Sequence, residues 1–222
     1  MSDDQSYKGS AQLEHTTSEG NMLEYFVRTI AGRMCTATLV LVKAVTNMGE
    51  VSPVGLIDVQ PMVAQLDGHG QPVPHGIIHD VPYARIQGGT AAVILDPKVG
   101  DIGIVVFAHR DISAVKASKA PANPGSRRKH DWADAMYIGG VLNGVPTQYI
   151  RFTPTGDIEL KPATKVTVLG ALDVVGNVTV EGNVMSTLTV TGAVNVFGGG
   201  KSLLTHVHSG VTAGGGSSGP PV

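Results

Sequence analysis

The sequence predicts an all-β chain in two parts: a barrel of short strands, then a repeat that winds around copies of itself. Three observations carry this. Thirty Val and 18 Thr among the 222 residues lean the composition towards strands. Residues 34–110 fall into short apolar runs separated by Gly-, Asp- and Asn-bearing turn clusters. From 166 to 198, every even position except Ser186 is Val, Leu or Gly.

In chain order, residues 1–33 read as an arm. The first 20 are polar, so no signal peptide is expected. Glu19, Leu23, Phe26, Val27 and Ile30 fall near helical spacing, which fits a short amphipathic helix or a tail that orders only on assembly. Residues 34–113 hold the conventional core. MCTATLVLVKAV (34–45), VGLIDVQPMVAQ (54–65), AAVIL (91–95) and DIGIVVFAHR (101–110) read as strands. Four or five such strands suit a small closed barrel of the OB type, and a small sandwich satisfies the same periodicity. Residues 114–160 read as a Pro-, Gly- and charge-rich surface loop followed by connecting strands at 136–142, 147–154 and 156–160.

The repeat at 161–199 is the strongest signal. Its inward row is Val166, Val168, Leu172, Val174, Val178, Val180, Val184, Leu188, Val190, Val194 and Val196, with Gly170, Gly176, Gly182, Gly192 and Gly198 at hexad spacing. The odd positions include Thr167, Asp173, Asn177, Thr179, Glu181, Asn183, Thr187, Thr189, Thr191 and Asn195. Successive strand side chains point to opposite faces, so one face is dry and the other mainly wet. Burying a Val or Leu contributes about 1.5–3 kcal/mol, against roughly 1–2 kcal/mol of backbone entropy per ordered residue. A single chain cannot close that balance with side chains this thin. Copies winding about a shared axis can, because they cover one another's dry faces and remove exposed edges. The reading is an intertwined β-helix or β-prism, most simply threefold. A single-chain left-handed hexapeptide helix would need many stacked coils, and five full hexads with one cut short at 184–186 are too few.

Residues 200–222 end the chain in KSLLTHVHSGVTAGGGSSGPPV. His206 and His208 are two apart and face the same way on an extended strand. Two imidazoles make a weak metal site; three copies at an axis offer six. Six nitrogens favour octahedral coordination, which suits Fe(II) or Ni(II) better than tetrahedral Zn(II).

This tip, His206-Val207-His208 followed by Gly214–Pro221, resembles the apex of the central-spike proteins of contractile phage tails, the baseplate assembly protein V family. VGLIDVQPMV (54–63), PKVGDIGIVVFAHRDI (97–112) and the stretch around RRKHDWADA (127–135) resemble the N-terminal OB domain of its membrane-piercing branch. The resemblance implies a homotrimer in the virion, at the baseplate tip of the tail. Its OB domains would sit on the tail hub, and one structural iron ion would be held by His206 and His208 of three chains. It implies a spike that pierces the host outer membrane when the sheath contracts.

Other functions find little support. A net charge of −2 argues against a general nucleic-acid binder, and the single Cys35 against a disulfide framework. His130-Asp131 with Asp134 has the look of a phosphohydrolase metal pair but lacks the helical core such sites use. His75 and His79 sit in a proline-bounded, β-branched stretch unsuited to helical ligation. Lys116, Lys119, Arg127, Arg128 and Lys129 form a basic cluster that reads as a solvated loop or a docking contact. Asp101 and Asp111 fit turn roles. No nucleophile has a base partner, so the chain reads as no enzyme and has no small-molecule substrate. Two rival readings remain. One is an OB-type binding module on a trimerising stalk, using Tyr83, Arg85 and Phe107. The other is a trimeric metallohydrolase at His206 and His208, for which residues 200–222 supply no carboxylate.

Overall fold

A computed structural model describes residues 17–32, 34–47, 49–205 and 214. They form two units, one running to Lys161 and one beginning at Pro162.

The arm is helical. α1 (Glu19–Gly32) opens where the Ser18 hydroxyl accepts the Asn21 backbone N–H at 3.2 Å. Its apolar residues Met22, Leu23, Phe26, Val27 and Ile30 are all exposed.

The barrel is built on β1 (Ala37–Val45), which pairs antiparallel with β2 (Leu56–Pro61) on one side. Two further pairs of strands, β3 (Gln65–Leu66) with β4 (Pro72–Val73) and β6 (Ile86–Gly88) with β7 (Ala91–Val93), form small hairpins outside the main sheet. The main sheet adds β5 (Ile78–Pro82) beside β2, β8 (Ile102–Phe107) on the other side of β1, and β9 (Ala135–Gly140) beside β8. The order is β5-β2-β1-β8-β9. A parallel bridge between Tyr83 and Tyr137, with Ala84 N–H donating to the Tyr137 carbonyl at 2.9 Å, curls the two ends towards each other. The result is an all-β, OB-like, partly open five-stranded barrel.

Strand alternation fills its interior. Val40 and Val42 of β1, Ile57 and Val59 of β2, Ile78 and Val81 of β5, Val105 and Phe107 of β8, and Ala135 and Tyr137 of β9 form one buried cluster. The Tyr137 ring lies directly over Gly103, where any Cβ would collide with it. That inward position on β8 therefore has to be glycine.

Two features depart from the sequence reading. Periodicity does not announce β5, because His79 and Asp80 interrupt Ile78 and Val81 and prolines bracket the stretch. The fifth strand, β9, lies beyond the 34–113 span expected to hold the barrel. Between β8 and β9 the chain makes an excursion holding α2 (Ser113–Ser118) and a 3-10 turn (Trp132–Asp134). Charge pairs hold that excursion, and strand patterning cannot register them. After β9 come β10 (Tyr149–Phe152) and β11 (Ile158–Lys161), paired only with each other.

In the second unit, residues 163–196 form no strand ladder with one another. A short hairpin follows, β12 (Phe197–Gly198) with β13 (Lys201–Ser202). Gly199 and Gly200 close it at φ 54° and 77°, the positive values a two-residue hairpin turn demands.

Candidate functional site

The single chain leaves the repeat uncovered. Every member of the inward row is exposed, from Val196 at 36% to Leu188 at 92%. The two faces still differ: Val174 and Val180 are 48% and 50% exposed, while the odd-numbered Leu169 and Val175 are 97% and 98% exposed. One chain thus presents a long row of β-branched and leucine side chains to water with no core behind it. The β-helix expected from the repeat is not formed within one chain.

At the end of the row the chain turns back. The Asn195 carboxamide donates to the Ser202 hydroxyl at 2.6 Å and accepts the Leu204 N–H at 3.2 Å, and Leu203 N–H donates to the Val196 carbonyl at 2.8 Å. These bonds fix residues 195–204 as a tight approach to the tip. His206 and His208, the expected metal ligands, lie outside the described residues.

Several of the polar residues singled out in the barrel prove to be structural. Arg128, expected in a solvated basic loop, reaches inward instead. Its Nε donates to Asp134 Oδ2 at 2.6 Å, and its Nη2 donates to Asp134 Oδ1 at 2.9 Å and to Asp111 Oδ1 at 2.7 Å. Asp134 is fully buried and also accepts the Ile112 N–H at 3.0 Å. The guanidinium holds Asp134 below the usual carboxylate range. Hydrogen bonds from Ser113, its hydroxyl and then its N–H, bring Asp111 down to about 2. Carboxylates held ionised this way pin the β8–β9 excursion to the barrel and are poor general acids or bases.

Arg85 makes the matching clamp elsewhere, with Nε and Nη2 on Asp96 at 2.7 and 2.6 Å and Nη1 on the Ser52 carbonyl at 2.6 Å. The binding-module reading thereby loses its residues: Tyr83 and Phe107 are buried in the core and Arg85 is spent on Asp96.

The histidines singled out in the barrel also have neighbours of their own. His79 Nδ1 pairs with Asp58 Oδ2 at 2.8 Å, the His75 ring packs on Trp132 at 4.8 Å, and His130 Nε2 meets His109 Nδ1 at 3.0 Å. Asp131 caps the 3-10 turn by accepting the Ala133 N–H. Among the described residues, no three His, Cys, Asp or Glu side chains converge as a metal site. Asp101 and Asp111 take the expected turn roles, accepting the backbone N–H of Lys98 and Ser113 at 2.8 and 2.9 Å. No described helix is long and apolar enough to cross a membrane.

Sequence reasoning missed Arg128 because it stands in a run of cations, where only the six-residue offset to Asp134 hints at a partner. It also missed the Tyr149–Lys161 hairpin as a surface, although its alternation is plain in the sequence.

Comparison with known families gives two matches. Residues 52–140 match the phage protein Gp138 N-terminal domain, a match that ends with the last residue of β9. Residues 202–222 match the GpV apex motif and include both tip histidines. No curated protein matches the chain. Together the two matches indicate a phage baseplate or central-spike protein of the gpV type. Such proteins are structural spike components of the virion tail, assembled with other baseplate proteins, and not enzymes.

Proposed function

We propose that this chain is the membrane-piercing spike of a contractile tail, acting as a homotrimer. The carrying observation is the repeat: a row from Val166 to Val196 that a single chain leaves exposed throughout. Three chains sharing one axis turn that row into a dry core with a continuous outer backbone ladder, which makes a stiff, narrow shaft. On this reading the OB-like barrel mounts the spike on the hub, residues 161–199 form the needle, and residues 200–222 form the apex. The host outer membrane is met only transiently.

The apex motif is a metal-binding apex in known spikes, which supports metal at residues 202–222. His206 and His208 from each chain would hold one iron ion. Six imidazoles fill an octahedral shell, so the ion would be structural, tying three chain ends together against fraying. No carboxylate is present in residues 200–222 to serve as a general base, which separates this site from a hydrolase. Sedimentation mass combined with elemental analysis tests the reading. The expected result is a trimer with one iron per three chains; a stable monomer without transition metal would overturn it.

A further inference from the structure

We infer that the β10–β11 hairpin, through Ile150, Phe152, Ile158 and Leu160, is the first ring of contact between copies of this chain. It precedes the valine repeat in the sequence. The inference deepens the trimeric reading above and rests on it.

The hairpin is two-faced. In its register Tyr149 stands opposite Lys161 and Arg151 opposite Glu159, while Ile150 stands opposite Leu160 and Phe152 opposite Ile158. The first set satisfies itself. Arg151 donates to Glu159 at 2.7 Å, and the Arg151 and Lys161 cations lie 5.8 and 5.7 Å from the Tyr149 ring centre. The turn is closed as well: Thr153 N–H donates to the Asp157 carbonyl at 2.9 Å, and Asp157 N–H donates to the Thr153 hydroxyl at 3.0 Å.

The second set has no such cover. Phe152 is 75% exposed, Ile150 68%, Ile158 62% and Leu160 56%. A lone two-stranded hairpin is marginal in water, and this one has spent its polar groups on itself. Its apolar side is what remains to be covered.

Phase identifies the occupant. Ile150, Phe152, Ile158 and Leu160 are even-numbered, as is every member of the repeat's dry row. From 150 to 201 all eight charged residues (Arg151, Asp157, Glu159, Lys161, Lys165, Asp173, Glu181 and Lys201) stand at odd positions. The even positions from Ile150 to Gly198 therefore carry no charge, through the hairpin and through the repeat alike. A hub protein or a lipid surface touching the hairpin would impose no such continuity with the repeat. A second and third copy of the chain, already covering the repeat, would.

The test uses the full-length chain. Phe152→Asp should raise the concentration at which the trimer dissociates by at least about tenfold in sedimentation. Because an aspartate could unravel the hairpin, a second arm keeps its shape. In a Cys35→Ser background, Ile158→Cys should give covalent dimers with a short bis-maleimide, and Glu159→Cys on the opposite face should not. A trimer indifferent to Phe152→Asp, or one that cross-links no better from residue 158 than from 159, assigns the face to another partner and overturns the inference. In that case Val180→Asp still dissociates the trimer, so the spike reading survives. A monomeric wild type overturns both.

Discussion

Val180→Asp is the sharpest probe of the shared axis. In the lone chain Val180 is 50% exposed and touches no core, so the substitution costs the single chain almost nothing. In a trimer the same change puts three carboxyl groups at a dry axis. The cheaper way to keep them there at pH 7 is to protonate them, against an ordinary aspartate pKa near 3.9. That costs about 4 kcal/mol per chain, or about 12 kcal/mol per trimer. The forfeited half of each valine's burial adds about 1 kcal/mol per chain. A loss of this size lowers the association constant by roughly nine or more powers of ten, which no micromolar sample survives as a trimer. Sedimentation at pH 7 should therefore find monomer. The barrel should stay intact, as reported by the single Trp132 packed 5.1 Å from Phe107. At about pH 4 the carboxyl groups are half neutral without cost, and trimer should begin to return. Thr179→Asp, one residue away on the wet side, should sediment as wild type. Trimer persisting in Val180→Asp at pH 7, or equal disruption by Thr179→Asp, would refute the dry-axis reasoning.

Three further outcomes are expected. On the proposed function, His206→Ala combined with His208→Ala should abolish bound metal by elemental analysis while the sedimentation mass stays trimeric, because the valine rows would still hold the chains together. Asp134→Ala strips the fully buried partner from Arg128 and from the Ile112 N–H. The guanidinium side chain is 32% exposed and recovers some water, so the loss should be about 2–4 kcal/mol, visible as a fall of about 10 °C or more in the barrel's Tm. Acid should weaken the barrel late. Asp111 is held at about 2, and Asp96 and Asp134 are lowered by their arginines, so all three bind protons less readily folded than unfolded. Their contribution is complete above about pH 5 and declines as pH falls through the ordinary aspartate range, Asp111's being lost on the way to about 2; a Tm that begins to fall near pH 6 would contradict it.

Much of the chain's plan was legible because it depends on period. Alternation marked β1, β2, β8 and β9, and the hexad spacing of Val, Leu and Gly marked the repeat, since both follow from side chains alternating across a strand. What period cannot carry was missed. β5 hides because Asp80 sits at φ 56° and breaks the alternation between Ile78 and Val81. The excursion from β8 to β9 hides because Arg128, Asp111 and Asp134 hold it, three charges whose pairing exists only in three dimensions. Arg128 thereby departs from the surface reading of that basic stretch, while Lys119, Arg127 and Lys129 stay exposed as read. The Tyr149–Lys161 hairpin shows the opposite lapse: its even-numbered phase is printed in the sequence, but the missing hexad glycines disguise it as a connector.

The two units reach stability by different routes, and the difference bears on what the repeat is for. The barrel closes its accounts internally, with one apolar cluster and two arginine clamps on carboxylates. The repeat closes almost none, and its composition explains why it need not. Between Phe152 and Phe197 there is no aromatic residue and no histidine, and glycine stands at every third inward position of the full hexads. Five hexads of side chains that small cannot enclose a core within one chain, but on the proposed function they let three backbones approach one axis closely. A wider inward residue would give a single chain more to bury and would thicken the shaft. Membrane displaced by a rigid point grows with its cross-section, so on the proposed function a sequence that forgoes independent folding gains a narrower point. Val174→Phe is the corresponding trial. It should leave the isolated chain unharmed and disturb the assembled trimer, because a dry axis sized for valine has no room for three added rings.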